Sequence, residues 1–253
     1  MTDLELALQL ADLADSVSMA RYGRSDLQVT TKPDMTPVSD ADRSVERILR
    51  ERLATTRPAD TLVGEEYGGS MGTGRAWVID PIDGTKNFVR NVPVWATLIA
   101  LTVDGVAQIG VVSAPALARR WWAETGQGSW RREGGSEPIR NRVSGVTNLA
   151  DASLSVSDTE GWARESFLNL VDAVWRTRGY GDFWSHVMVA EGCVDIAPEP
   201  ELNLWDMAAL VPVVLEAGGS MTSWSGGAVL DDTSAVTTNG LLHDAVLARL
   251  NHG

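Results

Sequence analysis

The stretch Ala76-Trp77-Val78-Ile79-Asp80-Pro81-Ile82-Asp83-Gly84-Thr85 decides how this chain is read. Its first four residues are apolar and predict a short buried strand that ends at an acid. Pro81 biases Asp80 toward extended backbone and favours a turn immediately afterwards. Asp80 and Asp83 are then expected to point into the same space. Gly84 allows a close backbone approach. Thr85, Lys86 and Asn87 are expected to open a short helix whose free N–H groups can hold a phosphate. Carboxylates beside an anion-binding turn make physical sense when a cation lies between them. Hard oxygen ligands select Mg²⁺ or Mn²⁺ over zinc. An Asp-Pro dipeptide alone reads as an ordinary turn with a solvated acid, but the six-residue string from Asp80 to Thr85 is far more specific.

Working outward, other acids stand at the ends of predicted elements. Gly64-Glu65-Glu66 follows the apolar run Thr61-Leu62-Val63. Ser39-Asp40-Ala41-Asp42 offers a capped helix start, with Val45, Ile48, Leu49 and Leu53 on one face behind it. Asp42 and Glu46 share a helix face at i, i+4. Trp205-Asp206 opens an apolar helix expected over 205–217. Taken singly, Asp206 reads as a helix cap and Glu65 as a surface acid.

The rest of the chain supplies the frame. Residues 3–22 have a helical apolar pattern, and residues 31–38, with Pro33 and Pro37, read as a loop. Residues 94–103 and 106–113 are β-rich and meet across Asp104-Gly105, a hairpin signal. Arg119–Trp122 and Gly128–Arg131 predict another strand pair, and 133–138 a surface loop. After Leu154-Ser155-Val156, strands alternate with helices expected near 161–174, 183–192, 205–217 and 240–251. The expected architecture is α+β, with helices and mostly antiparallel sheet followed by an α/β portion. We read residues 1–253 as a single domain with an N-terminal half of about 1–148 and a C-terminal half of about 149–253.

Composition narrows the function classes. With 44% apolar and 22% charged residues the chain can build a sizeable core. Its net charge of −13 makes it a poor partner for nucleic acid. The longest nearly apolar run, Val92 to Val103, contains Pro93 and is short of a membrane span. The first residues lack the pattern of a secretory signal, and the single cysteine, Cys193, permits no intrachain disulfide. These features lead us to expect a cytoplasmic protein without a membrane partner. Cys193 is expected in the core, and His186 as a packing residue rather than a ligand.

The chain resembles the inositol-monophosphatase superfamily, the lithium-sensitive Mg²⁺-dependent phosphatases. The resemblance runs from the Asp42 helix through Gly64-Glu65-Glu66, Trp77 to Thr85 and Trp205-Asp206. It continues to Glu216-Ala217-Gly218-Gly219 and Thr238-Asn239-Gly240. It implies a layered αβαβα sandwich, a site for two or three Mg²⁺ ions (with Mn²⁺ a possible substitute), and a homodimer. On this resemblance Glu65, Asp80 and the Ile82 carbonyl hold the first ion, and Asp80, Asp83 and Asp206 the second. Glu65 is also implied in catalysis through a third, weaker ion. Thr85 and Asp42 resemble the pair that activates the attacking water, and the Gly84 and Thr85 amides grip phosphate.

Other strings resemble the actinobacterial histidinol-phosphate phosphatases within that superfamily. These are Asp83 to Ala96, Ala114 to Trp122, and Arg178-Gly179-Tyr180-Gly181-Asp182-Phe183. That resemblance implies hydrolysis of L-histidinol phosphate, a small phosphate monoester. Asp182 and Glu199 are then expected beside its cationic end, and Asn87, Arg178 and Asp206 are counted with Gly84 and Thr85 among the substrate contacts. Asp182 reads equally well as a helix N-cap. Inositol-1-phosphate or a sugar phosphate such as fructose-1,6-bisphosphate is the second reading. A catalytically silent protein of the same fold is the third.

Overall fold

The structure is a computed structural model that describes residues 1–32 and 36–251. Its outermost layer is a helix pair. Helix α1 (Asp3–Arg21) starts at a capping box between Thr2 and Glu5. Strands β1 (Val29–Thr31) and β2 (Pro37–Ser39) pair antiparallel and lead into α2 (Asp40–Thr56). The loop expected over 31–38 thus has strand at both described flanks, while Pro33 lies outside the described residues. The predicted start of α2 is borne out. Ser39 is its N-cap, and Asp42 reaches back to the Ser39 N–H to complete a capping box.

The second layer is a seven-stranded sheet of β3 (Thr61–Gly64), β4 (Arg75–Asp83), β5 (Ala96–Val103), β6 (Val106–Ala114), β7 (Arg119–Glu124), β8 (Gly128–Glu133) and β9 (Ile139–Arg140), in that spatial order. Only the β3–β4 pair is parallel. The short helix α3 (Thr85–Val89) lies between β4 and β5. Asp104 and Gly105 both take positive φ, as a tight hairpin turn between β5 and β6 requires. Strand alternation splits the sheet between two cores. Trp77, Ile79, Ile99, Leu101, Ile109 and Val111 pack against α1 and α2, whereas Val78, Leu98, Ala100 and Val112 face the opposite way.

That opposite face meets a central helix layer, α5 (Asp182–Ala190), α6 (Leu204–Met207) and α7 (Leu210–Leu215). A five-stranded sheet follows, built from β10 (Ser153–Ser155), β11 (Arg176–Arg178), β12 (Ile196–Glu199), β13 (Ser220–Thr222) and β14 (Ala235–Thr238). Strands β11, β10 and β12 run parallel, and β14 and β13 complete the sheet antiparallel. Helices α4 (Arg164–Val171) and α8 (His243–Asn251) cover its outer face through Leu170, Val246 and Leu250. The succession helix, sheet, helix, sheet, helix is the αβαβα sandwich expected from the sequence.

Two expectations are corrected. The helix expected over 205–217 is two short helices separated at Ala208 and Ala209. Pro212 has no N–H to donate to the Ala208 carbonyl, so the ladder is interrupted there. Cys193 is exposed rather than in the core. It follows Gly192, which turns the chain at φ 75° after α5, and that reversal carries the thiol outward.

The central layer lies tight against the large sheet. A Cβ on Gly110 of β6 would stand 2.0 Å from the Ala209 carbonyl oxygen, and backbone cannot yield as a side chain can. Gly110→Ala is therefore expected to cost about 1–3 kcal/mol through overpacking. Chemical denaturation should show the loss, and a midpoint equal to that of the parent chain would refute it.

Candidate active site

In a regular strand, residues three apart face opposite ways. Asp80 and Asp83 are three apart, yet their carboxylates converge. The reason is a register shift between them where β4 pairs with β5. The extra residue reverses the alternation and brings both acids to one side. Pro81 lies in this bulge and has no N–H to leave unpaired, and its carbonyl accepts from the Thr97 hydroxyl at 2.8 Å. The Ile82 N–H donates to Asp80 Oδ1 at 2.9 Å. The turn expected right after Pro81 is thus a bulge that lets β4 continue to Asp83.

Asp206 arrives from the start of α6, where it caps Asn203 by accepting from its N–H at 2.7 Å. One carboxylate oxygen from each of Asp80, Asp83 and Asp206 lies within 4.8 Å of the others. Glu65, one residue past β3, is within hydrogen-bonding reach of Asp80. Burial holds all four carboxyls above their ordinary range, and mutual repulsion adds to it. Asp206 is raised to about 7. Such a group of buried acids either keeps protons at neutral pH or takes up added positive charge. Lys32 supplies part of it, with Nζ 2.6 Å from Glu65 Oε1 and 2.6 Å from Glu66 Oε1. The all-oxygen donor set of the other three acids fits a hard divalent cation.

Beside the acids, Thr85 Oγ1 lies 3.1 Å from Asp42 Oδ1 and 2.9 Å from the Ile82 carbonyl oxygen. Its single proton serves one acceptor at a time. Asp42 is fully buried, and burial raises its proton affinity although Ser39 donates to its other oxygen from both N–H and hydroxyl. Gly84 takes φ 82°, a left-handed conformation suited to glycine, and no side chain caps α3 behind it. Glu46, on the same helix face as Asp42, accepts from the Glu66 and Tyr67 N–H groups. That anchor holds the segment bearing Glu65 against α2.

Lys32, Glu65, Asp80, Asp83, Thr85 and Asp206 line a cleft of about 870 Å³. Its far wall holds Asp182, Glu199 and Ser157. Glu199 is buried and raised to about 7, while Asp182 is raised to about 6, in both cases chiefly by burial. Asp182 is the first residue of α5, behind a Gly181 cap, rather than the N-cap itself. The structure therefore brings Asp42, Glu65, Asp80, Ile82, Asp83, Gly84, Thr85, Asp182, Glu199 and Asp206 into one region.

Two expected contacts differ. Arg178 is exposed at the end of edge strand β11, outside the cleft lining, with Nη1 donating to the Thr177 carbonyl at 2.7 Å. Asn87 does not line the cleft. Its amide donates to Asp182 Oδ2 at 3.1 Å and to the Val94 carbonyl at 2.9 Å, so it positions an acid. His186 is buried, as expected of a packing residue, with Nδ1 2.8 Å from Thr237 Oγ1 and its pKa lowered to about 4 by burial. Lys32 and Ser157 went unread in the sequence. Lys32 has no local pattern that marks it. Ser157 had a signal, since it lies just past a parallel strand, where open sheets collect ligand contacts.

The layered fold and the cleft of buried carboxylates at sheet ends define a hydrolase site whose acid cluster could hold a metal ion. Residues 2–252 match the inositol monophosphatase family. The chain belongs to that family, which is one of phosphatases. It is 59% identical to a histidinol-phosphatase of Mycobacterium tuberculosis over 99% of this chain and 98% of that protein. It is 52% identical to a histidinol-phosphatase of Streptomyces coelicolor, over 99% and 97%. Among solved structures, a Thermotoga maritima IMPase superposes with a TM-score of 0.89 at 30% identity, over 100% of this chain and 98% of that one.

The raised acids set a pH dependence. A carboxyl with a folded pKa above its unfolded value stabilises the fold at low pH, and that contribution is lost as pH rises through the folded value. With Asp182 near 6 and Glu199 and Asp206 near 7, metal-free protein should lose thermal stability between about pH 4 and pH 8. A divalent cation should raise the melting temperature more at pH 8 than at pH 5. An equal shift at both pH values would contradict the assignment.

Proposed function

We propose that this chain is a Mg²⁺-dependent phosphatase that hydrolyses L-histidinol phosphate to L-histidinol and inorganic phosphate, a step of histidine synthesis. The observation that carries the reading is the Thr85–Asp42 contact set beside the convergent oxygens of Asp80, Asp83 and Asp206. The two histidinol-phosphatases at 59% and 52% identity support the choice of alcohol. A single catalytic domain over the whole chain, a cytoplasmic setting and a homodimer complete the reading. Among the described residues, no helix is long and apolar enough to cross a membrane.

In this reading Glu65, Asp80, the Ile82 carbonyl, Asp83 and Asp206 hold two or three Mg²⁺ ions, for which Mn²⁺ can substitute. When bound, the metal neutralises phosphate oxygens and lowers the pKa of water. The protein's own part is position and proton transfer. The Gly84 and Thr85 amides, at the uncapped start of α3, hold the phosphate in line. The Thr85 hydroxyl orients the attacking water and passes its proton to Asp42. The raised proton affinity of Asp42 suits it to that role. At the other end of the cleft, Asp182 and Glu199 meet the cationic alcohol. Lys86 gives Asp182 part of a counter-charge, and a neutral cyclitol or sugar would leave Glu199 without one.

A phosphate-release panel with histidinol phosphate, inositol-1-phosphate and fructose-1,6-bisphosphate tests the substrate. Histidinol phosphate should give the highest kcat/KM, and a clear preference for inositol-1-phosphate would displace it. Chelation by EDTA should abolish turnover and Mg²⁺ restore it. Thr85→Ala and Asp42→Asn should each lower kcat by roughly 10²–10⁴-fold with little change in KM, the usual range for a positioned proton acceptor. The double variant should be about as impaired as the worse single one. Additive losses would show that the two residues do not act as a unit.

A further inference from the structure

We propose that the alcohol side of the cleft is divided by distance from the phosphate turn. Asp182 takes an ammonium carried on the second carbon from the ester oxygen, and Glu199 takes a cationic group further out. The inference rests on the reading above, in which the phosphate sits at Gly84 and Thr85.

The position of the Asp182 carboxylate is tightly defined. Its Oδ2 lies 3.3 Å from the point where a Cβ would stand on Gly84. The same oxygen accepts from Asn87 Nδ2, and Asn87 belongs to the short helix that Gly84 opens. The Asn87 hydrogen bond thus holds this acid close to Gly84, beside the place where the phosphate would lie. The backbone is shaped to put it there. Asp182 takes φ 49° directly after Gly181 at φ 79°. Left-handed backbone is disfavoured for residues with a Cβ, and Asp and Asn are among the few that tolerate it. An observed departure of this kind at a cleft is a pointer to function.

Glu199 lines the same cleft and does not touch Asp182 through its carboxylate. It is reached through Ser157, whose hydroxyl accepts from the Asp182 N–H at 2.9 Å and donates to Glu199 Oε1 at 2.7 Å. The Ser157 N–H donates to that same oxygen at 2.9 Å. One serine therefore ties the Glu199 carboxylate to the backbone of Asp182, whose own carboxylate is the acid beside Gly84. Asp158 and Glu160 extend the acidic wall beyond.

This arrangement has a consequence for substrate choice. In an ester of the form phosphate–O–CH₂–CH(NH₃⁺)–R, the ammonium stands close to the phosphate. It can meet Asp182 while the phosphate stays at the turn. Histidinol phosphate has this form, with an imidazole in R left to reach the Glu199 side. A third carbon in the tether carries the ammonium past Asp182, and an alkyl ester offers it nothing. The minimal recognised unit is accordingly a 2-aminoalkyl phosphate.

The test uses the full-length, Mg²⁺-loaded protein with 2-aminoethyl phosphate, 3-aminopropyl phosphate and ethyl phosphate, alongside histidinol phosphate. For wild type, kcat/KM on 2-aminoethyl phosphate should exceed that on ethyl phosphate by roughly tenfold or more, the effect of one charge-assisted hydrogen bond. The 3-aminopropyl ester should stay within about threefold of ethyl phosphate, since its ammonium gains no such bond. Asp182→Asn keeps the shape and the tolerance of left-handed backbone, and should bring the 2-aminoethyl to ethyl ratio to near one. Glu199→Gln should keep that ratio while lowering turnover of histidinol phosphate. Ratios taken within one preparation cancel differences in folding and metal loading. A wild-type ratio near one overturns the division of the cleft, as does a ratio that survives Asp182→Asn or is lost only in Glu199→Gln. If histidinol phosphate is still hydrolysed in that case, the phosphatase reading stands without it. If p-nitrophenyl phosphate is hydrolysed and histidinol phosphate is not, the substrate reading fails and this inference with it.

Discussion

Bringing carboxylates together inside a protein requires that their repulsion and desolvation be offset by something the fold itself does not contain. In this chain that constraint centres on the bulge in β4. Without the register shift between Asp80 and Asp83, one acid would face the α1–α2 core and the other the cleft. With it, both meet Asp206 from α6 and approach Glu65 from the end of β3. Three separate elements thus end at one electrostatic problem, and Lys32 answers only the part of it that lies at Glu65 and Glu66. A bound cation would resolve the remainder, and would link metal affinity to fold stability in this site.

The layers explain why these ends hold their positions. Helix α2 carries Asp42 and Glu46 on one face. Asp42 turns toward Thr85, and Glu46 secures the backbone that follows β3. Gly64 has no room for a Cβ because the Glu46 carboxylate lies 2.0 Å from where it would stand. On the other side, the helix interruption at Ala208–Ala209 rests against Gly110 of the large sheet. Close backbone packing of this kind leaves the segment after Asp206 little freedom to shift. The Thr85–Asp42 contact and the acidic cluster are therefore supported by rigid elements, as precise positioning requires.

The far wall of the cleft obeys a different logic. Asn87 holds the Asp182 carboxylate, and Ser157 ties Glu199 to the Asp182 backbone. The metal side is suited to the phosphate common to all substrates of the class. In the proposed function the far wall is where the alcohols are told apart, since a pair of acids favours a cation over a hydroxyl.

Much of this was legible in the amino-acid order. Apolar runs ending in acids located β3 and β4, the capping pattern at Ser39–Asp42 located α2, and Asp104-Gly105 located the hairpin. Each is a local signal, set by backbone preference and side-chain alternation over a few residues. The string from Asp80 to Thr85 carried the chemistry for the same reason. Other features depend on residues distant in sequence. The bulge that aligns Asp80 with Asp83 is defined by pairing with β5. Arg178 was expected at the substrate and is turned to solvent at a sheet edge, while Asn87 serves Asp182, 95 positions away, instead of the ligand. Lys32 meets Glu65 across 33 positions. By itself the sequence determined which elements form and which acids end them, because those choices are made by neighbouring residues. Only the tertiary structure decided which of those ends face one another and line one cleft. Those distances follow from how whole layers pack, and no stretch of neighbouring residues encodes them.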